Sequence, residues 1–165
     1  MADTLRDRAI LLAGGPGGLG AASARLLAAE GARLVVSYRE NRERARVLEP
    51  IATVAAADLR KGEDRVRLLD ACADLYGVVV FAGDAVRGAA SLEEALERSH
   101  GVNYAGPILL AREAAERMRA ASMPGAIVLI GTMQAGALFA GSTAYAGAKA
   151  ALAHAARILA KECRG

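Results

Sequence analysis

The sequence predicts an α/β domain with a doubly wound parallel sheet and helices on both of its faces. Short apolar segments alternate with longer helical patterns along all 165 residues. The short segments are apolar at successive positions, which is typical of parallel strands buried on both faces. Hydrophobic residues make up 54% of the chain and aromatic residues only 4%, so small side chains must supply the packing between helices and sheet. Neither a repeat nor a linker interrupts the pattern, which predicts one domain over residues 1–165.

The apolar segments are predicted strands, each bounded by glycine, proline or polar residues. The third is the weakest of them, because alanine is a poor strand former. In chain order the predicted strands are Ala9–Ala13, Arg33–Val36, Ile51–Ala57, Val78–Phe81 and Ala126–Ile130.

The segments between the strands carry helical patterns, several of which end at glycine or proline. Ser91-Leu-Glu-Glu94 is a capping box, a serine followed three residues later by a glutamate, and it indicates the start of a helix. The predicted helices are Gly18–Glu30, Glu40–Leu48, Glu63–Leu75, a helix beginning at Ser91, Pro107–Ala121 and Thr143–Cys163.

Charge and composition exclude several classes of function. The net charge of +3 is spread along the chain and is too weak to indicate nucleic-acid binding. Two cysteines, Cys72 and Cys163, and two histidines, His100 and His154, have no metal-like spacing, so we expect neither a metal site nor a disulfide scaffold. The first residues are polar and of mixed charge, and no apolar run approaches membrane-spanning length. We therefore expect a cytoplasmic protein without membrane contact.

A glycine-rich turn, Ala13-Gly-Gly-Pro-Gly-Gly-Leu-Gly20, joins the first predicted strand to the first predicted helix. In a dinucleotide-binding turn, Gly14 would allow the tight bend, Gly18 would let the backbone approach a pyrophosphate, and Gly20 would let helix and strand pack closely. The helix N-terminus would offer its N–H groups to the phosphates. The alternative is a flexible turn without a ligand. The strand–turn–helix context favours dinucleotide binding.

Tyr145 and Lys149 lie four residues apart, early in the last predicted helix. This spacing places both side chains on one face, about one turn apart. A neighbouring ammonium favours the phenolate form of a tyrosine, so the pair can act as an acid or base near neutral pH. The alternative is an ordinary amphipathic helix with a packed tyrosine and an exposed lysine.

The Gly14-x-x-x-Gly18-x-Gly20 spacing and the Tyr145-x-x-x-Lys149 pattern after the fifth strand resemble the signature motifs of the short-chain dehydrogenase/reductase family. Ala13 stands where that family has threonine. The resemblance runs along essentially the whole chain and implies a Rossmann fold with strand order 3-2-1-4-5. It implies hydride transfer between a nicotinamide dinucleotide and a carbonyl or alcohol. The family's last strands and substrate-covering helix are missing here, so we expect an uncovered fifth strand at the sheet edge.

The resemblance implies a catalytic tetrad of Asn103, Thr132, Tyr145 and Lys149. Thr132 lies thirteen residues before the tyrosine, where the family has serine, and its hydroxyl would orient the substrate oxygen. Asn103 would help to hold a proton-relay water beside Lys149, which would also bind the ribose hydroxyls. Two alternatives stay open: Thr132 as a loop cap, and Asn103 as a polar residue at a helix kink before Gly106-Pro107.

The resemblance also implies contacts with the cofactor. Asp58 would bind the adenine amino group, although it could equally cap a helix. Arg39 beside Tyr38 fits a 2′-phosphate and favours NADP, but Glu40 also suits the carboxylate with which NAD enzymes bind the ribose diol. The implied cofactor contacts are Gly14, Gly18, Leu19, Gly20, Tyr38, Arg39, Asp58, Leu59, Ala82, Gly83, Tyr145 and Lys149.

The sequence therefore favours an NADP-dependent oxidoreductase acting on a small carbonyl or alcohol, with NAD as the second choice of cofactor. The main alternative is a catalytically weak dinucleotide-binding module with a sensing or scaffolding role, or an incomplete fragment of a family member. A sugar-nucleotide epimerase of the related extended family is a third. The alanine-rich faces of the last two helices suit a subunit interface, so we expect a homodimer or homotetramer.

Overall fold

One parallel sheet forms the centre of the computed structural model, which describes residues 4–163. The predicted domain of 1–165 therefore includes residues 1–3 and 164–165, which lie outside the described range. The strand order is β3-β2-β1-β4-β5, which confirms the prediction. The strands are β1 (Ala9–Ala13), β2 (Arg33–Tyr38), β3 (Thr53–Ala56), β4 (Leu75–Val80) and β5 (Ala126–Leu129).

Helices connect the strands and cover the sheet. The helix that begins after Ser91 is capped as predicted, since Ser91 Oγ accepts a hydrogen bond of 3.1 Å from Glu94 N. None of the helices within residues 4–163 is both long and apolar enough to cross a membrane. The helices are α1 (Gly18–Ala29), α2 (Arg42–Arg46), α3 (Gly62–Asp70), α4 (Leu92–His100), α5 (Gly106–Ala120) and α6 (Thr143–Glu162), and a π-helical turn (Gly101–Ala105) joins α4 to α5.

A hydrophobic layer lies on each face of the sheet. Successive residues of β1 point to opposite faces, so Leu11 packs into one layer and Leu12 into the other. Both side chains are fully buried, as the uninterrupted apolar sequence of the strand predicts. The order of the strands changes direction between β1 and β4, and such a switch point leaves a crevice at the carboxyl ends of the strands.

Some predicted element boundaries are wrong. The helix predicted to end at Leu75 ends at Asp70, and Leu75 is instead the first residue of β4. The helix cannot extend to Leu75 because Asp74 has a φ of 56°, which does not fit a right-handed helix, and Leu75 instead pairs with Ala9 in the sheet. The second helix is also shorter than predicted. It begins after Asn41, whose side chain accepts a hydrogen bond from Arg44 N.

Strand β5 forms one edge of the sheet within the described residues. Val128 on this strand is 47% exposed. Beside the strand, an apolar cleft of about 550 Å³ opens between α5 and α6, and its lining includes Met118, Ile127 and Leu159. The expectation of an uncovered apolar edge strand therefore holds in residues 4–163.

Candidate active site

In the turn between β1 and α1, two glycines lie so close to neighbouring backbone that a side chain would not fit at either position. Gly14 has a φ of 76°, and a Cβ there would lie 2.7 Å from Ala82 N. A Cβ on Gly20 would lie 2.5 Å from Gly15 O and 2.8 Å from Gly15 Cα. Both positions therefore require glycine, the first for the bend and the second for the return of the helix over the turn.

Gly18 differs from these two glycines. A Cβ built on Gly18 would meet no atom within 4 Å, so the space beside the start of α1 is open. The cap residue Gly17 offers α1 no side-chain hydrogen bond, and the first turn of α1 carries no acidic residue. A helix N-terminus of this kind can receive an anionic group such as a phosphate.

Replacing Gly20 with alanine is expected to lower the free energy of unfolding by about 2–3 kcal/mol, because the new Cβ would overlap backbone that cannot move aside. Gly18→Ala is the matched control, and we expect it to change the free energy of unfolding by less than about 0.5 kcal/mol. Urea unfolding of both variants measures the difference. Equal stabilities would contradict the close contact between Gly20 and Gly15.

A cleft of about 430 Å³ lies at the carboxyl ends of the strands, next to this turn. Five cofactor residues implied by the sequence do not line it: Gly18, Leu19 and Gly20 at the start of α1, where Leu19 is 65% exposed, and Tyr145 and Lys149 on α6. Arg44, Arg60 and other residues that the sequence analysis did not assign to the site also line it. The implied cofactor residues in the lining are Gly14, Tyr38, Arg39, Asp58, Leu59, Ala82 and Gly83.

Arg39 is held at the cleft by two carboxylates. Its Nε lies 2.8 Å from Glu40 Oε1, and its Nη2 lies 3.7 Å from Asp84 Oδ2. Asp84 also accepts two hydrogen bonds from Arg98, at 2.9 and 2.6 Å. Although burial raises the pKa of Asp84, the hydrogen bonds from Val86 N and Arg98 more than offset this and hold it below the ordinary value. Asp84 therefore remains ionised beside Arg39.

The carboxylate of Asp58 is already engaged. Both of its oxygens accept hydrogen bonds of 3.0 Å from Arg60 Nε, and these bonds lower the pKa of Asp58. The cap position of α3 belongs to Lys61, so Asp58 does not cap that helix. The backbone N–H of Asp58 donates to Asp64 Oδ2 at 2.7 Å. Arg60 is thus part of any surface that Asp58 presents to a ligand.

Asn103 lies in the π-helical turn and is fully buried. Its Oδ1 accepts a hydrogen bond of 2.8 Å from Asp84 N, and its Nδ2 donates to Asp84 O at 2.8 Å and to Ser99 Oγ at 2.9 Å. Asn103 therefore lies at an irregularity of the helix, which is the alternative that the sequence left open for it. It also fastens the loop after β4, which the sequence analysis did not foresee.

Lys149 is buried beside the same loop. It is only 3% exposed, and its Nζ donates a hydrogen bond of 2.9 Å to Ile130 O at the end of β5. A Cβ on Gly83 would lie 3.6 Å from Lys149 Nζ and 3.3 Å from Asn103 Oδ1. Tyr145 lies half-buried one turn earlier on α6. The structure thus brings Asn103 and Lys149 together beside Gly83, which lines the cleft, with Tyr145 one turn from Lys149 on α6.

Burial lowers the pKa of Lys149 below its ordinary value of 10.5. The folded chain therefore holds this proton less tightly than the unfolded chain, and the resulting loss of stability is present at neutral pH. We expect Lys149→Met to raise the free energy of unfolding by about 1 kcal/mol at neutral pH. The gain should shrink as the pH rises toward the ordinary lysine value.

The exposed Lys161 on the same helix supplies the control for this expectation. Lys161→Met removes the same ammonium without removing a buried charge, so we expect no comparable gain. Denaturant unfolding at a series of pH values measures both variants. A loss of stability in Lys149→Met at neutral pH would mean that its hydrogen bond to Ile130 outweighs the cost of burial.

Thr132 follows β5 and precedes a short 3-10 turn, Met133–Ala135. Its Oγ1 accepts a hydrogen bond of 3.3 Å from Gln134 N, which is the loop-cap arrangement left open by the sequence. This bond uses one lone pair of the oxygen and leaves the O–H to donate elsewhere. The two roles of Thr132 are therefore compatible.

Comparisons with known proteins agree with this architecture. A 3β-hydroxysteroid dehydrogenase 1 of Eggerthella lenta is 34% identical over 142 residues, which cover 78% of this chain and 54% of that protein. The chain thus spans about half the length of this relative. A solved short chain dehydrogenase/reductase family protein is 31% identical with a TM-score of 0.82, over 96% of this chain and 69% of that one.

A further solved structure, a short-chain type dehydrogenase/reductase from Mycobacterium ulcerans, is 25% identical with a TM-score of 0.85, over 98% of this chain and 64% of that one. The family model described as short chain dehydrogenase matches residues 8–165, nearly the entire chain. The strand order, the glycine turn and the Tyr145–Lys149 spacing fall within this match. The chain therefore belongs to the short-chain dehydrogenase family.

Proposed function

We propose that this chain carries the cofactor site and the acid–base residues of an oxidoreductase that uses NADP(H) to interconvert a small carbonyl compound and its alcohol. The observation that carries the proposal is the buried Lys149, which lies one turn from Tyr145 and beside Gly83, a residue that lines the same cleft as Arg39. A buried ammonium destabilises the folded chain, so a catalytic role best explains the presence of a lysine at this position.

The residues present fit a dinucleotide. The open space beside Gly18 and the bare N-terminus of α1 suit the pyrophosphate. The cleft of about 430 Å³ suits the adenosine, with Ala82 and Gly83 against the ribose. When bound, the nicotinamide would supply the hydride chemistry.

Each residue of the site has a distinct role in the proposed reduction. The Tyr145 phenol donates its proton to the carbonyl oxygen of the substrate. Lys149 supplies a positive charge that stabilises the phenolate left behind. The Thr132 hydroxyl donates a hydrogen bond that orients the same carbonyl oxygen. In the direction of alcohol oxidation, Tyr145 accepts the hydroxyl proton instead.

Arg39 favours NADP over NAD. Its guanidinium lines the cleft at the end of β2, where a 2′-phosphate on the adenosine ribose would lie. Glu40 already forms an ion pair with Arg39, at 2.8 Å. Because Glu40 is engaged in this way, it is a weaker partner for the ribose diol of NAD.

A test of the proposal mixes the chain with NADPH and a panel of small aldehydes and ketones, and follows the loss of NADPH. We expect oxidation that requires both the chain and the carbonyl compound, and that Tyr145→Phe slows about 10²- to 10⁴-fold. Tight binding of NADPH without turnover would instead favour a binding module.

We also propose that the chain forms a homodimer or homotetramer through α5 and α6. Exposed apolar side chains on these helices, Leu109 at 43% and Ile158 at 47%, support such an interface. The molar mass measured by light scattering tests it. A monomer at high protein concentration would contradict it.

A further inference from the structure

Ser99 is a fully buried polar residue to which the proposed chemistry assigns no role. It lies in the last turn of α4, and its hydroxyl makes two hydrogen bonds of 2.9 Å. The Oγ donates to Ala144 O in the first turn of α6, and it accepts from Asn103 Nδ2 in the π-helical turn. One side chain therefore links the end of α4, and the π-helical turn that directly continues it, to the first turn of α6.

The network continues from Asn103 to the cofactor cleft. Asn103 binds both the N–H and the carbonyl of Asp84, each at 2.8 Å. Asp84 directly follows Gly83, which lines the cleft. An unbroken line of hydrogen bonds thus runs from the loop after β4, through Asn103 and Ser99, to Ala144, the residue before Tyr145.

Ser99 is well suited to set the distance between these two parts of the site. No buried side-chain nitrogen or oxygen lacks a partner in residues 4–163, so the network is fully satisfied. Without the Ser99 hydroxyl, Asn103 Nδ2 would keep only Asp84 O, and Ala144 O would lose its cross-helix donor. Ser99 is the link between Asn103 and Ala144 in this network, so without its hydroxyl the start of α6 could shift relative to the loop after β4.

We propose that Ser99 is a positioning residue that fixes the first turn of α6, and with it Tyr145, against the Gly83–Asp84 loop at the cofactor cleft. The inference rests on the proposed role of Tyr145 as the proton donor. Ser99 itself touches neither substrate nor cofactor. It acts on the rate because proton donation and hydride transfer need their groups placed to within a fraction of an ångström.

The test compares Ser99→Ala with Ser91→Ala. Ser91 caps the other end of α4 through Glu94 N, so its removal weakens the same helix without touching the network. We expect Ser99→Ala to lower kcat for carbonyl reduction about 10- to 100-fold, with KM and the Kd for NADPH changed less than about twofold. The kinetic isotope effect with NADPH deuterated at the transferred position should rise, because hydride transfer becomes slower relative to the other steps. Ser91→Ala should leave kcat and the isotope effect unchanged.

Hydrogen exchange gives a readout that does not depend on activity. The amide of Asp84 is protected by Asn103 Oδ1, and we expect it to exchange faster in Ser99→Ala than in the parent or in Ser91→Ala. An inactive parent with this faster exchange would contradict the proposed function while leaving the link through Ser99 in place. Unchanged exchange together with unchanged kcat in Ser99→Ala would overturn the positioning role, as would an equal loss of kcat in Ser91→Ala.

Discussion

Tyr145→Phe is expected to lower kcat for carbonyl reduction about 10²- to 10⁴-fold, the usual contribution of a positioned general acid. The substitution removes only the phenolic oxygen of a half-buried side chain, so the fold and the cofactor cleft should be unaffected. The Kd for NADPH should therefore change less than about twofold. Steady-state rates and calorimetric titration of the purified variant measure the two quantities separately.

Tyr76→Phe is the matched control for this loss. Tyr76 lies in β4, where its ring stacks under the Arg8 guanidinium, and it does not line the cleft. Losing its hydroxyl should leave kcat within about twofold of the parent. If Tyr145→Phe and the parent reduced the carbonyl compound at similar rates, Tyr145 would not be the proton donor. The burial of Lys149 would then have no chemical explanation.

Arg39→Ala should weaken NADPH binding about 10- to 100-fold and leave NADH binding almost unchanged. The loss corresponds to the charge-assisted hydrogen bonds that one guanidinium makes with a phosphate, about 1.5–3 kcal/mol. Calorimetric titration with both nucleotides measures the ratio of the two Kd values. Arg42→Ala, an exposed position of α2 outside the cleft, should leave that ratio unchanged at moderate salt.

Removing Glu40, the ion-pair partner of Arg39, should have the opposite effect on NADPH binding and tighten it. Glu40→Gln removes a carboxylate that lies 2.8 Å from Arg39 Nε and that competes with a 2′-phosphate for the guanidinium. We expect a Kd for NADPH a few-fold lower than in the parent, because the guanidinium then has one fewer competing partner. A loss of NADH affinity in Glu40→Gln instead would assign Glu40 to the ribose diol of NAD and Arg39 to a structural role.

Features that depend on local sequence were predictable. The glycine turn was recognised because its strand–turn–helix context fixes where Gly14 and Gly20 must lie, and both positions have no room for a side chain. The spacing of Tyr145 and Lys149, one turn apart on a helix, was also predictable. Their catalytic role came with the resemblance to a family and stays a proposal. The strand order came with the resemblance to a family and is confirmed.

Features that depend on contacts between distant residues were not predictable. Ser99 and Ala144 are 45 residues apart, and Asp84 and Asn103 are 19 apart, so no local pattern indicates either bond. The ion pair of Arg39 with Asp84 joins the ends of two different strands, and it was missed for the same reason. The early start of β4 was missed because an aspartate with positive φ, Asp74, leaves no clear mark in the sequence.

The buried lysine of the site is expected to lower the stability of the folded chain. Lys149 is buried with one hydrogen bond to Ile130 O, and burial lowers its pKa. A hydrophobic residue would suit this position better if folding were the only requirement. The expected gain in stability of Lys149→Met, together with its expected loss of activity, is the usual exchange between stability and function at an active site.

Transfer of deuterium is the most direct test of the proposed oxidoreductase activity. The chain is incubated with NADPH that carries deuterium at the transferred position of the nicotinamide and with a carbonyl compound that it reduces, and the alcohol is analysed by mass spectrometry. We predict one deuterium on the carbinol carbon of the product, and the same product formed about 10²- to 10⁴-fold more slowly by Tyr145→Phe. Stable binding of NADPH without deuterium in any product, across the whole panel of aldehydes and ketones, would contradict an oxidoreductase and leave a dinucleotide-binding module.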